Sequence, residues 1–164
     1  MVVLSGPAVP PIVDVVILVE DTALGGDNIA QLKTNYILPA LENLNCGPAT
    51  DLDFSTTLKN TSSFSVVPFY ASDCLPCPAA KIIGPFTSIK KILTVLDKLS
   101  FVGGQGETHS SGQEGLANAL QLFKEVTLLS EKVGDWRWPT IVTCSGGAEA
   151  WSRPGHGPSH CLHL

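Results

Sequence analysis

The run Ile12 to Val19, IVDVVILV, constrains this chain more than any other feature. It is almost continuously β-branched and apolar, with no alternation of polar residues. Such a segment has no face to offer to water, so it predicts a strand buried on both sides, as in a parallel sheet covered by helices on each face. The run stops abruptly on Glu20, Asp21 and Thr22, and a glycine pair, Gly25-Gly26, follows. In a parallel α/β sheet, ligands gather at the carboxyl ends of the strands. The stretch VEDTALGG therefore marks one place to look for function.

The rest of the chain supplies the partners of that strand. Asp27 and Asn28 offer N-cap chemistry to NIAQLKTNYILPALENLN. There Ile29, Leu32, Tyr36, Ile37, Ala40, Leu41 and Leu44 fall at helical spacing, and Pro39 predicts a kink. Asp51 to Ser63 reads as a loop. Phe64 to Tyr70 reads as a second strand, weakened by Pro68. Asp73 to Pro78 is a turn, and Ala80 to Ile83 a short third strand. Thr87 or Ser88 caps a helix through IKKILTVLDKL, and Phe101 to Gly112 is a glycine- and serine-rich loop. A further helix carries Leu116, Ala119, Leu120, Phe123, Val126 and Leu129 on its inner face. Thr140 to Cys144 is the last strand. Strands alternating with amphipathic helices predict an α/β, Rossmann-like, mostly parallel sheet flanked by helices. The loops after Val19, at Phe101–Gly112 and at Ser145-Gly146-Gly147 would converge at one edge.

Composition narrows the function classes. A length of 164 residues, with 44% hydrophobic and 15% charged, suits one globular domain. A net charge of −5 argues against nucleic acid, which needs clustered Lys and Arg. Lys90-Lys91 reads as a solvated helix face. No apolar run is long enough to span a bilayer. Asp14 and the missing basic n-region argue against a secretory signal. Five cysteines, an odd number, point to a reducing compartment.

Three loops bearing acids and hydroxyls at one sheet edge resemble the von Willebrand factor A family, whose adhesion site holds a divalent cation through D-x-S-x-S, a Thr and an Asp. Within that family, DVVILVEDTALGG, NYILPALENLN, LDKLSFVGGQGE and EGLANALQLF resemble the A domain of a Mediator complex subunit. That domain also begins its first loop with Glu and ends a glycine run with Glu, as Gly103-Gly104-Gln105-Gly106-Glu107 does here. The resemblance covers residues 13 to about 145. It implies a non-enzymatic docking module in the nucleus, acting in regulation of RNA polymerase II transcription, with other Mediator subunits or transcription regulators as partners and no cofactor.

It also implies a degenerate metal site. Glu20 is one methylene longer than the family's Asp, Leu24 has no oxygen, the second loop offers Thr108, Ser110 or Ser111 at a lengthened spacing, and Ser145 replaces the family's Asp. Mg²⁺ demands near-octahedral oxygen geometry, so no metal is expected at Glu20, Thr22, Thr108 and Ser145. Glu20 and Asp21 are expected instead to satisfy N–H groups at the following helix start. The alternative is a metal-dependent ligand-binding A domain that retains Glu20, Thr22 and Thr108.

A third reading is a zinc or thiol protein using Cys74 and Cys77. It suffers from Pro78 directly after the C-x-x-C and from a tail pattern, His156, His160, Cys161 and His163, that fits no standard finger. Cys144-Ser145-Gly146 is a poor nucleophile elbow, because Val142 stands where Gly is needed. Cys144 is better read as a buried thiol. Glu107, His109 and Ser110 lie too close in sequence to form a triad, and the glycine loop lacks a P-loop's GK[ST].

The expected organisation is a leader over 1–11, an A-like domain over 12–147, and an unrelated, disordered tail over 148–164. The family's further helix and two strands would be missing. The last strand would then lie on an open edge at Ile141 and Val142, available for self-association.

Overall fold

The computed structural model describes residues 12–44, 62–74, 78–104, 110–131, 137–144 and 161–163. The leader, most of the 51–63 loop and most of the tail fall outside them. Strand β1 (Ile12–Glu20) is the centre of the molecule. On one side it pairs in parallel with β2 (Ser63–Phe69), on the other with β4 (Arg137–Cys144). The sheet order is β3-β2-β1-β4-β5, with β3 (Ile83–Phe86) and β5 (Cys161–His163) antiparallel at the two edges.

Every residue from Val13 to Val19 is buried, which is what the apolar run demands. Odd positions Val13, Val15, Ile17 and Val19 meet Leu32, Ile37, Leu41, Ile89, Ile92 and Leu96. Even positions Val16 and Leu18 meet Ala119, Leu122, Phe123 and Val126, together with Val67, Phe69 and Ile141. Two helical layers therefore sandwich the sheet.

One layer contains the one-turn helix α1 (Ala23–Gly26), a segment running through α2 (Ile29–Leu32) and α3 (Leu38–Leu44), and α4 (Ile89–Leu96). Between α2 and α3, Lys33–Ile37 forms a π turn, and Leu38 N–H donates to the Lys33 carbonyl five residues back. Pro39 has no N–H to continue an i→i−4 ladder. The wider turn just ahead of it is where the distortion expected at Pro39 is absorbed. Lys33 and Asp97 form an ion pair between this segment and the end of α4.

The opposite layer is α5 (Gly112–Glu131). Its inner face is rotated from the sequence expectation. Gly115, Ala119, Leu122, Phe123 and Val126 are buried, whereas Leu116 and Leu120 are 42% and 46% exposed. Gly115 explains the shift: a Cβ there would lie 3.1 Å from Phe69 Cβ and 3.2 Å from Leu18 Cδ2, so its lack of a side chain lets α5 sit close to β2 and β1 along that line.

Three other expectations are corrected. The third strand is Ile83–Phe86, and Ala80 contributes only an isolated bridge to Phe69. Asn28 and Ser88 stand at the N-cap positions of α2 and α4, but neither makes a side-chain cap bond. The β4 edge is not open at Ile141 and Val142, because Thr140–Val142 pairs with Cys161–His163. Pro154 and Pro158 both precede the paired residues, so neither removes a donor from that short ladder.

Pro68 lies inside β2 at no cost to the central pairing. Its carbonyl accepts from Lys81 N–H at 3.1 Å, away from β1. The N–H and C=O of one strand residue point to the same side, so the missing donor is also on the β3 side.

One polar cluster interrupts the core. Asp14, 5% exposed, lies between the amino-terminal ends of β2 and β4. Its carboxylate accepts from Arg137 Nε at 2.7 Å, Arg137 Nη2 at 2.5 Å and Ser63 Oγ at 2.5 Å. The Asp14 and Arg137 side chains are 7% and 6% exposed. Removing one partner of a buried, bidentate pair leaves an uncompensated charge and costs about 3–5 kcal/mol. Arg137→Met is accordingly expected to lower urea-unfolding stability by about that much. Adding Asp14→Val in the same chain should return most of the loss, and an additive double mutant would contradict this account.

Candidate functional site

The carboxyl edge of the sheet carries the residues that the sequence singled out. Two of the three loops expected to converge there do so. The third, after Cys144, lies outside the described residues, as do Ser145, Thr108, Glu107, His109 and Cys77.

The first loop leaves β1 at Glu20. Asp21 N–H donates to the Phe69 carbonyl at 3.0 Å, which carries the β1–β2 ladder one residue past the strand. Thr22 takes the N-cap position of α1 in extended geometry, without a side-chain cap bond. The glycine pair is required by close approach. A Cβ on Gly25 would stand 2.5 Å from the Glu20 carbonyl oxygen, and one on Gly26 2.8 Å from Phe101 Cβ. The chain therefore folds back tightly over its own strand end and over Phe101.

The second loop, Phe101 to Gly104, is held by carboxylates from both sides. Asp21 Oδ1 accepts from Phe101 N–H at 2.5 Å. Asp73, just after β2, accepts from Gly104 N–H at 2.9 and 3.0 Å through its two oxygens. Ala23 N–H donates to the Gly103 carbonyl at 3.1 Å. Gly103 and Gly104 have φ of 82° and 77°, a left-handed backbone open to glycine and costly for a bulkier residue. A Cβ on Gly103 would also collide with Cys74 Sγ at 2.2 Å. The glycine run thus serves to wrap the loop around Asp73 and Cys74.

These bonds correct one expectation. Asp21 does not serve the start of the following helix; it fastens the strand end to the loop at Ser100 and Phe101. Burial raises its pKa from the ordinary 3.8, and the backbone bonds from Phe101 and Ser100 oppose that rise.

Several of the described oxygens near the strand end already have backbone partners. The Asp21 and Asp73 carboxylates are engaged by backbone N–H groups. Among the described residues, no group of three or more His, Cys, Asp or Glu gathers in metal-binding proximity. One observation runs the other way: Thr22 Oγ1 is buried and, among the described residues, has no hydrogen-bond partner. A buried hydroxyl without a partner is unusual.

Cys74 donates toward the Val102 carbonyl at 3.5 Å and the Asp73 carboxylate at 3.7 Å, so its thiol belongs to the loop packing. Cys144 is buried, and burial pushes its thiol up to about 11. That is the inert, strand-end thiol read from the sequence, with very little thiolate at neutral pH.

Sequence reasoning missed Asp73, Phe101 and the Asp14–Arg137 pair. Asp73 was legible in principle as an acid just past a strand's carboxyl end. Phe101 had no such signal, because its role comes from packing under Gly26.

The family described as Mediator complex subunit 25 von Willebrand factor type A matches residues 10–148. Among curated relatives, the mouse Mediator of RNA polymerase II transcription subunit 25 is 35% identical over 134 residues, covering 82% of this chain and 18% of the relative. The Xenopus laevis protein of that name is 36% identical over 132 residues (80% and 16%), and the zebrafish protein 33% identical over 132 residues (80% and 19%). The chain spans less than a fifth of the length of these relatives.

The Asp21 geometry gives a pH test. Its folded pKa lies above the unfolded one, so the folded chain binds this proton more readily. Its contribution is most favourable below pH 3.8 and is lost as pH rises through the raised folded value. Asp21→Asn keeps a carbonyl acceptor for Phe101 and removes the titration. In thermal unfolding from pH 3 to 7, the Asn variant is expected to gain on the parent as pH rises. A difference that stays flat across that range would contradict a raised Asp21 pKa.

Proposed function

The chain belongs to the von Willebrand factor type A family of Mediator complex subunit 25, and on that premise we propose that it is a non-enzymatic module that docks onto other Mediator subunits or transcription regulators in the nucleus. Relatives similar to this chain are named as subunits of a transcription assembly, and that naming supports a regulatory, non-catalytic role. The A-like unit is taken as residues 12–147.

The observation that carries the docking reading is the lacing of the carboxyl edge. In an adhesion-type A domain, the strand-end oxygens face a cation that completes its shell with a partner's carboxylate. Here the Asp21 and Asp73 carboxylates instead hold the loop at Phe101–Gly104. With Leu24 at the third ligand place of the first loop motif, this supports recognition through fixed protein surface rather than through a metal.

The orphan hydroxyl of Thr22 favours the second reading, a metal-dependent A domain using Glu20, Thr22 and Thr108. One experiment separates them. The tagged full chain is used to capture Mediator subunits from nuclear extract, in Mg²⁺ and in EDTA, with Glu20→Ala beside the parent. Capture within about twofold in all four arms, well under 1 kcal/mol of binding free energy, is expected. Capture that needs Mg²⁺ and disappears in Glu20→Ala would establish the metal-dependent reading instead. Stoichiometric Zn²⁺ in the purified chain would point to the thiol reading.

A further inference from the structure

Among the described residues, Phe101 alone combines a side chain with left-handed backbone, at φ of 48°. A bulky side chain at positive φ is an outlier, because its Cβ crowds the following carbonyl oxygen. Gly103 and Gly104 continue the turn at 82° and 77°, where a glycine is at ease. The strain of Phe101–Gly104 is therefore concentrated at its first residue.

Such a conformation persists only where its surroundings over-determine it. Three hydrogen bonds do so here. On the strand side Asp21, 3% exposed, accepts from Phe101 N–H at 2.5 Å. On the solvent side the exposed Asp73 accepts from Gly104 N–H at 2.9 and 3.0 Å. Between them the Gly103 carbonyl accepts from Ala23 N–H at 3.1 Å. Three points along four residues are thus tied to three separate places. The closed turn also covers what lies below it. A Cβ on Gly103 would stand 2.2 Å from Cys74 Sγ, and one on Gly104 3.1 Å from Thr22 Cβ.

We propose that Phe101–Gly104 is a strained strap with two positions. Closed, it is fastened by Asp21 and Asp73 and lies over Thr22 and Cys74. Open, it has left both carboxylates together, Phe101 has returned to ordinary backbone, and the carboxyl end of β1 is uncovered at Thr22. The strain at Phe101 favours opening, and the three bonds oppose it jointly. Releasing one bond lets the glycines unwind, which withdraws the geometry the other two require. The strap therefore opens as one unit, below the free energy of global unfolding. Asp73 is the fastening within reach of solvent, so it is the point from which the strap is released. This device belongs to the chain by itself and does not rest on the docking reading.

Hydrogen exchange of the full chain at neutral pH, followed amide by amide, tests the strap through two variants. Asp73→Ala removes the outer acceptor at an exposed position and leaves the core untouched. Gly104→Ala keeps that acceptor and places a second side chain on left-handed backbone. Neither change touches the acceptor of Phe101 N–H or of Ala23 N–H. Both amides are nevertheless expected to exchange about tenfold faster or more in each variant, while the Val15–Val19 amides keep the parent rates. In Asp73→Ala, acceleration confined to Gly104 would show three independent bonds and overturn the strap. Acceleration that spreads equally to Val15–Val19 would mean loosening of the whole fold, and would overturn it too.

Discussion

The carboxylate of Asp14 sets the frame on which the rest of the sheet depends. A strand buried on both faces and made almost wholly of Val, Ile and Leu has a register problem. Slipping it by one residue exchanges its faces, and with apolar side chains on both, the hydrophobic effect scarcely distinguishes the two arrangements. Asp14 does distinguish them. It is the one charged group in the run, and only one alignment of β2 and β4 brings Ser63 and Arg137 to it together. In that alignment Asp14 faces Ser63 across β2, while Arg137 reaches it from two residues down β4. A buried ion pair is weak support for stability as such, because desolvation offsets most of the attraction. Its use here is selection: a slipped sheet would bury the same charge without a partner.

Fixing the register at the amino end fixes what arrives at the carboxyl end. Because β1 and β2 are aligned from Asp14–Ser63 to Glu20–Phe69, Asp21 can close onto the Phe69 carbonyl, and Asp73 emerges beside the loop that follows α4. The acids there act as loop anchors. Each engages backbone N–H groups, the usual requirement for a polar group held away from water. The glycines at 103 and 104 let that backbone curl around Asp73.

Much of this was legible in the residues. The central strand, the α/β class, the helix before Cys46 and the helix at 89–96 follow from period and composition, because each buries a large apolar face of unmistakable spacing. The third strand was misplaced because Ala80–Ile83 carries three apolar residues around Lys81 but leads into the edge segment rather than forming it. The face of α5 was misjudged because the leucines dominated the pattern, whereas the contact is set by a glycine, a residue that hydrophobic periodicity cannot see. Asp14 was read only as an interruption. A charge inside a doubly buried strand requires a partner of opposite sign on a neighbouring strand, and Arg137 was available at the start of the last one. The role of Asp21 was harder to foresee, since it depends on a loop 80 residues away in sequence.

The distribution of satisfied and unsatisfied groups then decides where an interaction module of this shape can be approached. At the amino end, charge is paired and buried. At the carboxyl end, loop carboxylates and amides answer one another, leaving the Thr22 hydroxyl as the described exception. The broad faces are covered by α2 to α4 on one side and α5 on the other. The outer side of α5 differs from all of these, because Leu116 and Leu120 are exposed on it. Apolar side chains scattered singly over a surface carry little meaning. Leu116 and Leu120 are not scattered singles: they lie one turn apart on α5, so a partner that covers one covers both and buries apolar area with the same contact.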